Sequence, residues 1–146
     1  MEEVVVYTIP GAPIPLQRPR HYVNRVYDAQ KNHKLIIGIN LTNQHGDRPL
    51  YNGPLLLNAT FYMPLAKTRE KQKEKLLGTP DFYKPDIDNL IKMVLDCANK
   101  ILYNDDAQIT AIITKKIYGD PPRTEFTLRT LKDHYKGDFK TLKRIK

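Results

Sequence analysis

Lys84-Pro85-Asp86-Ile87-Asp88-Asn89-Leu90-Ile91-Lys92-Met93-Val94-Leu95-Asp96, closing on Asn104-Asp105-Asp106, is the stretch around which the chain is organised. Leu90, Ile91, Met93, Val94, Leu95, Cys97, Ala98, Ile101 and Leu102 make it apolar over most of a helical circumference. That predicts a buried helix from Asp88 to Leu102. Asp88, Lys92, Asp96 and Asn99 fall at i, i+4, i+8 and i+11, one line along that helix. A buried helix with a charged line must pair those charges, ligate a metal with them, or face a cleft.

Pro85 disfavours helix at Lys84, so the chain arrives extended. Asp86 or Asp88 can cap the helix start, where free N–H groups and the positive dipole end favour a carboxylate. The plainer reading makes both Asp residues caps and has Lys92 bridge Asp88 and Asp96. Two acids one residue apart, a lysine one turn on and a second acidic pair after the helix favour paired carboxylates binding a hard divalent cation.

Distances constrain such a site. From Asp88 to Leu102 is about 21 Å of helix, and Leu102 to Asp106 adds at most about 14 Å of extended chain. A full-length helix therefore keeps Asp106 from the Asp86/Asp88 end of its own chain. Antiparallel pairing of two central helices across a two-fold axis would set Asp86 and Asp88 of one subunit beside Asp105 and Asp106 of the other. The expectation is a metal site completed by homodimerisation.

The chain has 146 residues, which suits one domain with a modest core. No apolar run is long enough to span a bilayer, and no secretory signal follows Met1. Cys97, the single cysteine, sits among apolar helix positions and reads as a small core residue; a reducing, cytoplasmic setting fits. His21, His33, His45 and His134 show no zinc-ligand spacing. The formal charge is +8, yet residues 81–109 hold six acids against three bases, so the rest of the chain carries +11. A basic body around an acidic centre suits a metal-dependent enzyme acting on nucleic acid.

In chain order, Glu3 to Ile9 reads as a strand, followed by a Pro-rich loop up to Arg20. Arg18 and Arg20 flank Pro19, where a stiffened loop would present them to phosphate. His21 to Tyr27 predicts a short strand or hairpin. Asp28 is expected to cap a helix from Ala29 to Thr42 whose core face is Leu35, Ile36, Ile39 and Leu41. Asn43 to Pro54 reads as a mobile loop, Leu55 to Tyr62 as a central strand, and Thr68 to Leu77 as a charged helix closed by Gly78. Ile109 to Tyr118 and Thr124 to Leu131 predict two strands forming a hairpin around Gly119-Asp120-Pro121-Pro122. Residues 132–146 are a basic extension, read as a docking helix or a DNA-binding tail.

Lys84-Pro85-Asp86-x-Asp88-Asn89-Leu90-x-Lys92-x-x-x-Asp96 with Asp105-Asp106-x-Gln108-Ile109 resembles the signature of the RusA family of Holliday junction resolvases. An opening strand, the loop ending Arg18-Pro19-Arg20 and a closing hairpin are similar to that family's layout. The resemblance covers about residues 3 to 131. It implies an α+β fold with a small mixed sheet and helices, dimerising through the central helix. It also implies a cytoplasmic, bacterial or prophage-encoded endonuclease that cuts four-way DNA junctions in recombination and repair. Carried over, the metal acids are Asp86, Asp88 and Asp106, with Asp105 adjacent, and the catalytic lysine is Lys92. Lys84 is placed to touch substrate phosphate.

Phosphodiester hydrolysis needs an activated water and a stabilised phosphate, which a divalent cation on two or three carboxylates can supply. Magnesium, with manganese as a substitute, is the expected cation. Two other readings share these residues: a metal-dependent nuclease on other branched DNA, and a non-catalytic DNA-binding dimer whose acids are caps and salt bridges.

Overall fold

The computed structural model describes residues 3–18, 20–22 and 25–131, with backbone alone for 20–22 and 25–27. Strand β4 (Leu55–Met63) forms its middle. Leu55, Leu57, Ala59, Phe61 and Met63 are buried and alternate with residues of the opposite face, as a strand's two-residue period requires. Both edges of β4 are paired, with β6 (Arg123–Thr130) antiparallel and β5 (Ile109–Tyr118) parallel. β1 (Tyr7–Pro10) adds antiparallel to β6, giving a four-stranded mixed sheet in the order β1-β6-β4-β5. The expected α+β class with a small mixed sheet holds. β2 (Arg20–Tyr22) and β3 (Arg25–Tyr27) form a separate antiparallel ribbon.

Parallel strands need a long crossover. Here it comprises a 3-10 turn at Lys67–Gln72, the short helix α2 (Lys73–Leu76) and helix α3 (Ile87–Ala98). The charged helix expected at Thr68 to Leu77 is thus mostly 3-10, and Gly78 closes it at φ +83. Leu90, Met93, Val94 and Cys97 of α3 join Ile37 and Leu41 of α1 (Lys31–His45) and the inward residues of β4 and β6 in one core. Tyr7 and Phe126 stack within it, ring centroids 5.2 Å apart.

Several expectations are corrected. The last two strands are not a hairpin: β4 lies between β5 and β6, so the turn after Tyr118 steps across the end of β4. Gly119 N donates to Met63 O (3.0 Å), and a Cβ on Gly119 would stand 2.5 Å from Tyr62 Cβ and Cδ1. Second, α3 stops at Ala98, four residues early. Asn99 is extended, Lys100 turns at φ +69, and the buried Tyr103 folds back so that its hydroxyl donates to Leu95 O (2.9 Å). Leu95 O also accepts from Asn99 N (3.1 Å), so the tyrosine adds a second donor to the last turn of the helix.

Third, the core face of α1 is different. Ile37, Gly38, Leu41 and His45 are buried, whereas Leu35, Ile36 and Ile39 are 61%, 65% and 55% exposed. Gly38 permits close approach of Ile101, whose Cδ1 would lie 3.1 Å from an added Cβ. His45 belongs inside because Nδ1 shares a hydrogen bond with Tyr7 Oη (2.8 Å) and Nε2 one with Pro49 O (3.1 Å). Nor does Asp28 cap α1. Gln30 holds that position without a side-chain cap, and Asp28 Oδ1 accepts from Gln30 N (2.9 Å). Helix α1 continues through His45, shortening the loop expected from Asn43.

Gly119→Ala should lower stability by roughly 1–3 kcal/mol, because the new methyl must displace Tyr62 or the strand-crossing turn. Urea unfolding checks this; an unchanged midpoint would mean the crossing has room to spare.

Candidate active site

The loop before α3 is built from both sides. Asp81 is buried; its backbone N–H donates to Lys116 O (3.0 Å), and its Oδ1 accepts from Tyr83 N (3.0 Å). Lys116 of β5 reaches the same loop, its Nζ donating to Tyr83 O and to Pro85 O (2.7 Å). The Lys84–Pro85 peptide is cis. Asp86 then takes the N-cap position of α3 with extended backbone, but its side chain makes no cap hydrogen bond. Its Oδ1 accepts from Lys84 Nζ (2.9 Å). Asp86 is therefore not spent on capping, contrary to the plainer sequence reading.

Lys84, Asp86 and Asp88 line one open cavity of about 700 Å³ with Asp81, Phe82, Tyr83, Ile87 and Lys116. The hydrogen bond from Lys84 holds the Asp86 carboxyl below the usual carboxylate range, and the Lys84 and Lys116 charges add to this. Reciprocally, Asp86 and, more weakly, Asp88 raise Lys84. Both acids are exposed and hard oxygen donors, one residue apart.

Lys92 lies one turn beyond Asp88 on the exposed line of α3 and makes no ion pair among the described residues. It does not bridge Asp88 and Asp96. Asp96 is instead held by Lys34 of α1 (2.8 Å), which also holds Asp28 (2.5 Å). The helix is thus less uniformly buried than its composition suggests: its apolar side is in the core and its polar line faces solvent.

Asp105 and Asp106 lie elsewhere, in front of β5. Asp105 caps a 3-10 turn, Asp106–Gln108, accepting from Ala107 N (2.9 Å) in a capping box with Gln108. Gln108 Nε2 donates to Tyr51 O (3.2 Å) and Gly53 O (3.1 Å), fixing the turn to the neighbouring loop. Lys116, which touches the Asp86 loop, stands seven residues along β5 from Ile109, or about 23 Å at strand rise. The two acidic pairs therefore sit at opposite ends of β5. The helix spans only about 16 Å, so the separation foreseen from helix length is set by the strand instead. Among the described residues no three His, Cys, Asp or Glu gather as a metal cluster. Asp86 and Asp88 together offer two carboxylates, oxygen donors of the kind a hard divalent cation takes.

The Pro-rich loop reaches the same end of α3 as the Asp86 pair. Leu16 N donates to Asn89 O (3.0 Å), which brings exposed Arg18 near the helix start. Buried Gln30 braces that loop, accepting from Gln17 N (2.9 Å) and donating to Pro15 O (2.9 Å). The side chain of Arg20 and residues 132–146 lie outside the described residues.

A family model described as Endodeoxyribonuclease RusA matches residues 10–129. The chain belongs to the RusA family. That makes it an endodeoxyribonuclease by family, a hydrolase of DNA. A relative, the uncharacterized protein YqaN of Bacillus subtilis (strain 168), is 30% identical over 139 residues, covering 87% of this chain and 96% of the relative. No described helix of this RusA-family chain is long and apolar enough to cross a membrane.

Sequence reasoning missed three residues at the site. Lys116 reads as one of two strand lysines until the fold sets it under the Asp86 loop. Phe82 and Tyr83 carried a signal, as adjacent aromatics in a short polar segment between Pro80 and Pro85.

Lys84→Met should return the Asp86 titration upward toward the ordinary carboxylate value, followed by carboxyl 13C NMR. An Asp86 titration unmoved by that substitution would show that the ion pair does not set its charge.

Proposed function

We propose that this chain is a magnesium-dependent resolvase of four-way DNA junctions acting as a homodimer in recombination and repair. Each metal site would combine Asp86 and Asp88 of one protomer with Asp106, flanked by Asp105, of the other. The observation that carries this reading is the pair of uncapped, exposed carboxylates in a cation-rimmed cavity, with further acids held at the far end of β5.

Pairing also has surface to use. The apolar side of α3 is consumed by the core, so a dimer through the central helix would draw on Leu35, Ile36 and Ile39 of α1 beside it. These line, with Lys34, Asp96, Cys97, Asn99 and Ile101, or lie next to, a groove of about 500 Å³ between α1 and the end of α3. Asn99 Oδ1 is buried there without a hydrogen-bond partner among the described residues. Exposed aliphatic side chains in a row and an unsatisfied polar atom both favour a covering partner.

A bound magnesium, or manganese in its place, would polarise a phosphate oxygen and lower the pKa of an attacking water. The protein's own part is positional. Asp86 and Asp88 present oxygens from the rigid start of α3. Lys92, one turn along and without an ion pair among the described residues, is placed to neutralise charge developing on the phosphate or the leaving oxygen. Arg18, Arg20 and Lys84 contribute phosphate contacts that orient the DNA.

The test is cleavage of a labelled mobile four-way junction with and without magnesium. Asp88→Asn should abolish cutting while keeping or strengthening junction binding, since a negative charge near phosphate is removed. Lys92→Ala should lower cleavage by about 10²–10³-fold, with a far smaller change in binding. Parallel losses of binding and cutting in both variants would count against these roles.

A further inference from the structure

Phe82 is 82% exposed and Tyr83 56% exposed, and their rings stack with centroids 4.7 Å apart at 23°. The pair stands on the wall of the cavity that holds Asp86 and Asp88. It is braced from behind. Arg69 lies 5.6 Å from the Tyr83 ring centre and donates to Tyr118 Oη (2.8 Å). Buried Asp81 accepts from Tyr83 N, and Lys116 donates to Tyr83 O and Pro85 O. Phe82 takes no part in the hydrophobic core.

An aromatic face in water, in a cavity also lined by Lys84 and Lys116, matches a nucleobase with its flanking phosphates. Continuous duplex offers no such base, because both faces of each base are stacked on neighbours. A branch point does, since strands part there and bases lose a stacking partner. Resting on the nuclease reading above, we infer that Phe82, backed by Tyr83, stacks on a base that has left the duplex at a branch point. The phosphate to be cut lies beside it, at Asp86 and Asp88. This contact selects branched over continuous DNA.

The chain contains no tryptophan, so Phe82→Trp places a single fluorescent indole at the position. With the full-length protein in EDTA, a four-way junction should quench that emission, saturating with the gel shift. A linear duplex of the same sequence at saturating concentration should leave it nearly unchanged. Phe82→Ala should lower junction cleavage in magnesium by roughly 5- to 150-fold, the range set by loss of one base–aromatic stack, and Phe82→Trp should restore it. Equal quenching by duplex and junction would overturn the inference. So would quenching by neither, or emission that changes with protein concentration before DNA is added, which would mean a second copy covers the ring. If the wild type cuts no DNA but the indole is quenched by the junction alone, the nuclease reading falls and the stacking contact stands. If the wild type cuts junctions and Phe82→Ala cuts them equally well, the stacking contact falls alone.

Discussion

The parallel pairing of β4 with β5 is the constraint from which the site follows. Two strands side by side in the same direction cannot be joined by a tight turn, so the chain must cross over and start again at the same edge. Helix α3 makes that crossing, running opposite to β5. Its start is consequently fixed beside the end of β5, where Lys116 holds the loop, and its end beside the start of β5, where Asp105 and Asp106 stand. The core contacts of Leu90, Met93 and Val94 against β4 make this arrangement costly to disturb.

Electrostatics then divide the labour. Lys84 and Lys116 gather round Asp86 and Asp88, and the hydrogen bond from Lys84 holds the Asp86 carboxyl below the usual carboxylate range. Asp96, on the same helical line, is withdrawn into a pair with Lys34 that fastens α1 to α3. Lys92, between them, is left without an ion pair among the described residues. A helix whose polar line alternates between structural and uncommitted charges reconciles a firm scaffold with groups available to substrate.

Much of this was legible in the sequence. The largely apolar run Leu55 to Tyr62 identified the central strand, which the structure shows at Leu55–Met63 with both edges paired. The acid spacing around Lys92 singled out the candidate site, and the fold sets Asp86 and Asp88 in one cavity. What escaped was set by tertiary contacts. Nothing local marks Ala98 as a helix end; the buried Tyr103 imposes it from five residues on. The inward face of α1 pairs Ile37 and Leu41 with Gly38 and His45, neither of which looks apolar, while Leu35, Ile36 and Ile39 point out. A turn at Gly119 shows that the chain reverses, but not that β4 will occupy the gap between the reversing strands.

Subunit mixing tests the central claim, that a working site draws acids from two chains, most directly. Asp88→Asn and Asp106→Asn proteins are each expected to be inactive. Co-refolded, their heterodimers carry one site with both substitutions and one with neither, so magnesium-dependent nicking of a four-way junction should reappear. If the mixture stays as inactive as its parents while heterodimers form, each chain holds its own acids and the account is wrong.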